Sequence, residues 1–216
     1  MRRRAGITAA GRARVERALE RTGVLLVQGQ WEIDSVADLL AGVPVRTLGY
    51  SWDYEPAWRL TDEYESGTEV AVVKLFRGRR TLVHRRLWSA VDALATAAHA
   101  RVQARPARDS ERRFLLAVDE NPGAPLSDLR EQLGLERRAG DRTRRNLEQW
   151  LCLFGRERTD VEYHTHEPAL FPWQDTPIAR AGRRRKALDP ESALTLLTGA
   201  AGTKSGAFPV ARLLRG

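Results

Sequence analysis

The order of elements written into residues 109–173 constrains this chain more than any other feature. Asp109 or Ser110 can cap a helix to about residue 119, with Leu115 and Val118 facing inward. Asn121-Pro122-Gly123 makes a turn. A short helix over 125–133 then carries Leu126, Leu129 and Leu133 at i, i+3 and i+7, and Gly134 breaks it. A third helix is predicted from about 141 to 154, with Leu147, Trp150, Leu151 and Phe154 as its buried stripe and Gly155 ending it. Residues 159–165 then alternate as a strand, with Val161 and Tyr163 on one face.

Helix, turn, short helix, turn, basic helix and strand is the order of a winged helix-turn-helix, in which the third helix enters a DNA major groove. Here that helix is led by Arg137, Arg138, Arg142, Arg144 and Arg145, with Gln149 a turn on. Arg142, Arg145 and Gln149 share a face at i, i+3 and i+7, away from Leu147 and Leu151. Bidentate Arg to guanine and Gln to adenine are the contacts such a face can make. The same fold also serves as a protein-interaction module, in which the arginines are simply solvated.

The first half reads less sharply. Residues 8–21 form a helix, capped by Thr8, striped by Val15, Ala18 and Leu19 and ended by Gly23. Residues 24–27 are a short buried strand, and Ser35 caps a short helix with Val36, Leu39 and Leu40. Residues 43–67, rich in aromatics and acids, read as loop with short helical turns. A β-hairpin is expected over about 68–83, turning at Gly78. Residues 84–102 follow as a helix, with Leu87, Trp88, Val91, Leu94, Ala95 and Ala98 on one face. The expected organisation is an N-terminal region over 1–105, a winged helix-turn-helix over 109–175, and a basic tail with a short helix over 176–216. No repeat of fixed period is visible. The fold class is α+β, mainly helical, with tandem winged helix-turn-helix units and short β-hairpins.

Charge points the same way. Lys and Arg number 36 against 28 Asp and Glu, a formal net charge of +8, and all but Lys74, Lys186 and Lys204 of the basic residues are arginine. Arginine's planar fork suits phosphate and guanine edges, although GC-rich coding also raises arginine content. Lys74, Arg77, Arg79 and Arg80 surround the hairpin, with Arg85 and Arg86 just beyond, and either line phosphates or solubilise the tip. Arg183, Arg184, Arg185 and Lys186 form a run suited to a phosphate-contacting arm.

Other chemistry is sparse. Cys152 is the only cysteine, in an apolar run, which excludes an intrachain disulfide and a cysteine-based zinc site. Asp160, Glu162, His164 and His166 share one face of the expected strand, and a polar outer face explains the spacing as well as a metal pair does. No metal or cofactor is expected. Gln28-Gly29-Gln30 and Glu32-Ile33-Asp34 each put two polar groups on one face of an extended segment, where a carboxylate can activate water. No apolar run nears the roughly 20 residues of a membrane span, and no apolar stretch follows the basic start as a secretion signal requires. A cytoplasmic protein without a membrane partner is expected.

Residues from Gly23 to about Trp173 resemble the small AlkZ-related winged-helix proteins, distant relatives of the AlkZ/YcaQ-type DNA glycosylases. The resemblance lies in Ser51-Trp52-Asp53 with Trp58-Arg59-Leu60-Thr61-Asp62-Glu63, in Val73-Lys74-Leu75-Phe76-Arg77-Gly78-Arg79-Arg80-Thr81-Leu82-Val83, in Arg144-Arg145-Asn146-Leu147-Glu148-Gln149-Trp150-Leu151, and in Ala169-Leu170-Phe171-Pro172-Trp173. It implies tandem winged helices and a DNA-facing surface. The glycosylases use a Gln-aliphatic-Gln or Gln-aliphatic-Asp motif; here glycine stands between Gln28 and Gln30, and Glu32 stands where the first Gln would pair with Asp34. The leading expectation is a non-enzymatic, regulatory or repair-associated protein binding duplex DNA. The alternatives are a glycosylase for alkylated bases, with Gln28, Gln30 and Asp34 holding the water, and a protein-interaction module built on the aromatic belt from Tyr50 to Trp58.

Overall fold

Thr8 starts the first helix by accepting the Gly11 backbone N–H on its side-chain oxygen at 3.0 Å, and α1 runs over Ala9–Thr22. The computed structural model describes residues 6–29, 32–48, 54–159, 166–182 and 188–215. Gly23, at φ +76°, takes the left-handed conformation that stops α1 and turns the chain into strand β1, Val24–Leu26. Helix α2, Val36–Ala41, is capped by Ser35. Helix α3 covers Glu55–Glu65, inside the stretch expected as loop. Pro56 sits in its first turn, and Ala57, Leu60 and Thr61 are buried at i, i+3 and i+4. The aromatics and acids that suggested a loop fall mainly on the other positions of this helix.

Strands β2, Val70–Phe76, and β3, Arg79–His84, form the expected hairpin. The sheet order is β1-β3-β2, all antiparallel, so β3 is the central strand. A 3-10 turn over Arg85–Leu87 leads into α4, Trp88–Gln103, whose Val91, Leu94, Ala95, Ala98 and Val102 are fully buried.

The second unit comprises α5, Ser110–Glu120; strand β4, Ala124–Pro125; α6, Leu126–Leu133; α7, Arg137–Gln149; and strands β5, Leu153–Thr159, and β6, His166–Pro172. Its sheet order is β4-β6-β5. Both units therefore run helix, strand, helix, helix, strand, strand, and in both the first strand pairs with the last. What repeats is the order of elements and of strand pairing, which a search for repeated residues does not detect.

Two boundaries differ from expectation. Helix α7 begins about four residues early, at Arg137, and ends about five early, because Trp150 closes it and Leu151 adopts φ +60°. Leu151 is still buried, but through this turn rather than a helical stripe. Of the strand expected at 159–165, only Thr159 lies among the described residues, where it ends β5; β5 and β6 pair from Leu153 with Pro172 to Thr159 with His166. Gly155 lies within β5, and Phe154 stacks on Phe171 across the ladder at 5.3 Å between ring centroids.

The described residues of 176–216 carry three helices where a tail with one short helix was expected. Helices α8, Pro177–Gly182; α9, Pro190–Ala201; and α10, Pro209–Arg215, all pack on α4. Alanines permit the close approach: Ala90, Ala95 and Ala98 on α4, Ala193 and Ala201 on α9, and Ala211 on α10 are all buried. Two cores result. One lies wholly in the first unit, around Val15, Leu25, Val36, Leu60 and Leu82. The larger one joins the inner side of β2 (Leu75 and Phe76) to α4, the second unit and the three last helices. The fold is thus α+β and mainly helical, with two small antiparallel sheets. Among the described residues, no helix is long and apolar enough to cross a membrane.

Candidate nucleic-acid interface

Helix α7 is divided lengthwise. Gly140, Thr143, Leu147 and Glu148 face inward and are buried. Gly140 is where α6 comes close, since a Cβ there would meet Arg130 Cγ at 2.5 Å. On the opposite side Arg138, Arg142 and Arg145 are exposed at i, i+4 and i+7, with Arg137 exposed at the start of the helix. Arg145 donates to the Asp141 backbone carbonyl of its own helix. None of the four arginines has a carboxylate partner among the described residues. Three cations along one side of a helix repel one another, which a polyanion relieves.

The other two side chains expected at this surface have different neighbours. Arg144 is only 17% exposed and gives a hydrogen-bonded ion pair to Glu148 at 2.6 Å. Gln149 reaches the first unit, where a Cβ on Gly78 would meet its Nε2 at 2.5 Å. The C-terminal end of the arginine face therefore abuts the β2–β3 turn.

That turn is not a free tip. The Arg77 backbone N–H donates to the Ala207 carbonyl at 2.7 Å, and Phe76 meets Phe208 edge-on at 6.0 Å. The Arg77 guanidinium pairs with Glu32 at 2.7 Å and holds the Glu32 carboxyl below its usual range by that hydrogen bond. Arg80 pairs with Glu65 at 3.5 Å and lies over the Trp58 ring at 4.9 Å. Lys74 reaches Glu148 at 2.6 Å. Arg79 is exposed at the turn. Of the hairpin cations, then, Lys74, Arg77 and Arg80 already hold carboxylates, and the acids that neutralise them lie 15 or more positions away in sequence.

Of the candidate catalytic residues, Gln28 and Asp34 are among the described residues. Gln28 gives its amide to the Tyr54 carbonyl at 3.5 Å. Asp34 is exposed and pairs with Arg21 at 3.1 Å, beside a cleft of about 340 Å³ edged by Ser35, Asp38 and Leu39. Gln30 lies outside the described residues, as do Arg183, Arg184, Arg185 and Lys186, Trp52 of the aromatic belt, and Asp160, Glu162 and His164. His166 opens β6. Among the described residues, no group of three or more His, Cys, Asp or Glu is placed to hold a metal ion.

Sequence reasoning passed over Arg156. It is exposed on β5, with its guanidinium over Phe154 and Phe171 at 5.4 and 5.5 Å. The signal was an arginine two residues from an aromatic in an alternating strand, hidden by placing Phe154 in the helix. No protein-family model, curated protein or solved structure matches this chain.

Proposed function

We propose that this chain is a winged-helix DNA-binding protein, built of two such units in tandem, that contacts duplex DNA through the outer face of α7. The single observation behind the reading is the row Arg138, Arg142 and Arg145, exposed, without carboxylates and opposite the buried side of the helix. The repeated order of elements, with the first strand of each unit beside its last, supports the tandem winged-helix assignment. Arg144 and Gln149 belong to the packing between units in this reading, so the contacting set is Arg137, Arg138, Arg142 and Arg145. The role is binding rather than base excision. Gln28 and Asp34 are each engaged elsewhere in the protein, with Tyr54 and Arg21.

The test is a fluorescence-anisotropy titration with a labelled duplex of about two helical turns, from 50 to 200 mM salt. Log affinity should fall linearly with log salt, by roughly 0.9 per phosphate neutralised. A triple Arg138→Gln, Arg142→Gln, Arg145→Gln variant should bind more weakly and flatten that slope by about three. Negligible duplex binding at the lowest salt overturns the proposal. Release of an alkylated base, abolished by Asp34→Ala, would instead establish a glycosylase.

A further inference from the structure

A second group of arginines lies away from the outer face of α7. Between the C-terminal end of α4, the turn after α7 and helix α10 is a cleft of about 700 Å³, lined by Arg101, Arg105, Gln149, Trp150, Arg212 and Leu213 among others. Its size is that of a small-ligand site. No carboxylate lines it. Arg105 is fixed in place, lying over the Trp150 ring at 4.9 Å with Asp109 and Glu111 behind it at 3.6 and 3.7 Å. Arg101 and Arg212 have no hydrogen-bonding or ionic partner among the described residues, and neither does the side-chain amide of Gln149.

Each arginine alone has an ordinary explanation, since both sit in the last turn of a helix, where a cation complements the helix dipole. That explanation does not account for three donor side chains from three separate elements bordering one acid-free cleft. Apolar Leu213 and the Trp150 ring leave the cleft a mixed wall, suited to a ligand with an anionic group on a less polar body.

We infer that this cleft binds a phosphate-bearing ligand, with Arg101 and Arg212 as the charged contacts and Gln149 as a neutral donor. The phosphate comes either from a free phosphorylated small molecule or from a DNA backbone that continues past the end of α7. The inference stands apart from the DNA-binding reading and survives its failure in the first of these cases.

Isothermal titration with inorganic triphosphate, in parallel with duplex titrations, separates the sources. Arg101→Gln/Arg212→Gln should weaken triphosphate binding about tenfold or more, as loss of two charge-assisted hydrogen bonds requires. Ala104→Glu, which adds a carboxylate at the exposed edge of the cleft, should weaken it too. The Arg138, Arg142 and Arg145 triple variant should leave it unchanged. That pattern establishes a free phosphorylated ligand, even if duplex binding is absent. No triphosphate binding, with duplex affinity lowered by the cleft variants, assigns the phosphate to DNA. The inference is overturned if neither probe responds to the cleft variants, or if triphosphate affinity falls equally in the α7 variant.

Discussion

Glu148 on α7 accepts the Lys74 ammonium of β2 at 2.6 Å, and its side chain is only 4% exposed. Arg144 binds the same carboxylate oxygen at 2.6 Å. One buried anion thus holds a cation from each unit and sets how α7 lies on the first sheet. Removing it as Glu148→Ala leaves two partly buried cations without their countercharge. The expected loss is about 2 to 3 kcal/mol, at or just below the usual range for breaking a buried pair because Lys74 keeps some solvent. Urea unfolding monitored by circular dichroism checks this, and Lys74→Met should cost less because Arg144 remains with Glu148.

Arg142 and Arg144, two residues apart, should fail in opposite ways. Arg142→Ala is expected to leave stability within about 0.5 kcal/mol and to cost roughly 1 to 3 kcal/mol of DNA affinity if it reads a base. Arg144→Ala should lower the unfolding midpoint and change DNA affinity little. Equal effects of both on binding would mean that α7 is seated on DNA by another face.

Gly182 on α8 has no room for a side chain, since a Cβ there collides with the Asp92 carboxylate. That carboxylate accepts the Trp173 indole N–H at 3.0 Å. Gly182→Ala should push Asp92 aside and leave the indole donor unpaired, at a cost of about 1 to 3 kcal/mol. A lowered thermal midpoint with a perturbed tryptophan near-ultraviolet signal is the readout.

Phe208 is 1% exposed against Phe76 and the larger core. Phe208→Ala should destabilise the protein by about 3 to 5 kcal/mol, whereas Leu196→Ala, at 45% exposure on α9, should cost much less. Urea unfolding of the two variants tests whether the last helices belong to the core.

Burial pushes the Cys152 thiol up to about 12, so the native thiol is protonated at neutral pH and should resist alkylation until the protein unfolds. In the unfolded chain the thiol ionises near its ordinary value. Above that value the unfolded state holds fewer protons than the native one, so stability present at lower pH is lost as pH rises toward 12. The slope approaches about 1.4 kcal/mol per pH unit from this group. Cys152→Ala should flatten the alkaline limb of stability against pH.

The sequence was most legible where one signal sufficed. Thr8, Ser35 and Asp109 all cap helices through their side chains, and the hairpin over β2 and β3 forms around Gly78. Helix α3 was hidden because its aromatic and acidic composition outweighed the spacing of Ala57, Leu60 and Thr61. The end of α7 was missed because Trp150, Leu151 and Phe154 continue a helical period on paper, while Leu151 takes a left-handed turn that periodicity does not report. At the candidate interface, the exposure of Arg138, Arg142 and Arg145 follows from helical spacing. The engagement of Lys74 and Arg144 does not, because Glu148 lies 74 residues from one of its partners.

Helix α4 finds its cover in α8, α9 and α10, whose first residue follows its last by more than 70 positions. During synthesis the first unit can close its own core around Val15, Leu25 and Leu82 as soon as β3 has left the ribosome. The apolar side of α4, with Val91, Leu94 and Ala98, has to wait until Leu197 and Phe208 emerge. The nascent protein is therefore expected to pass through a stage with a finished head and an apolar helix still short of its C-terminal cover, a segment open to aggregation when translation stalls.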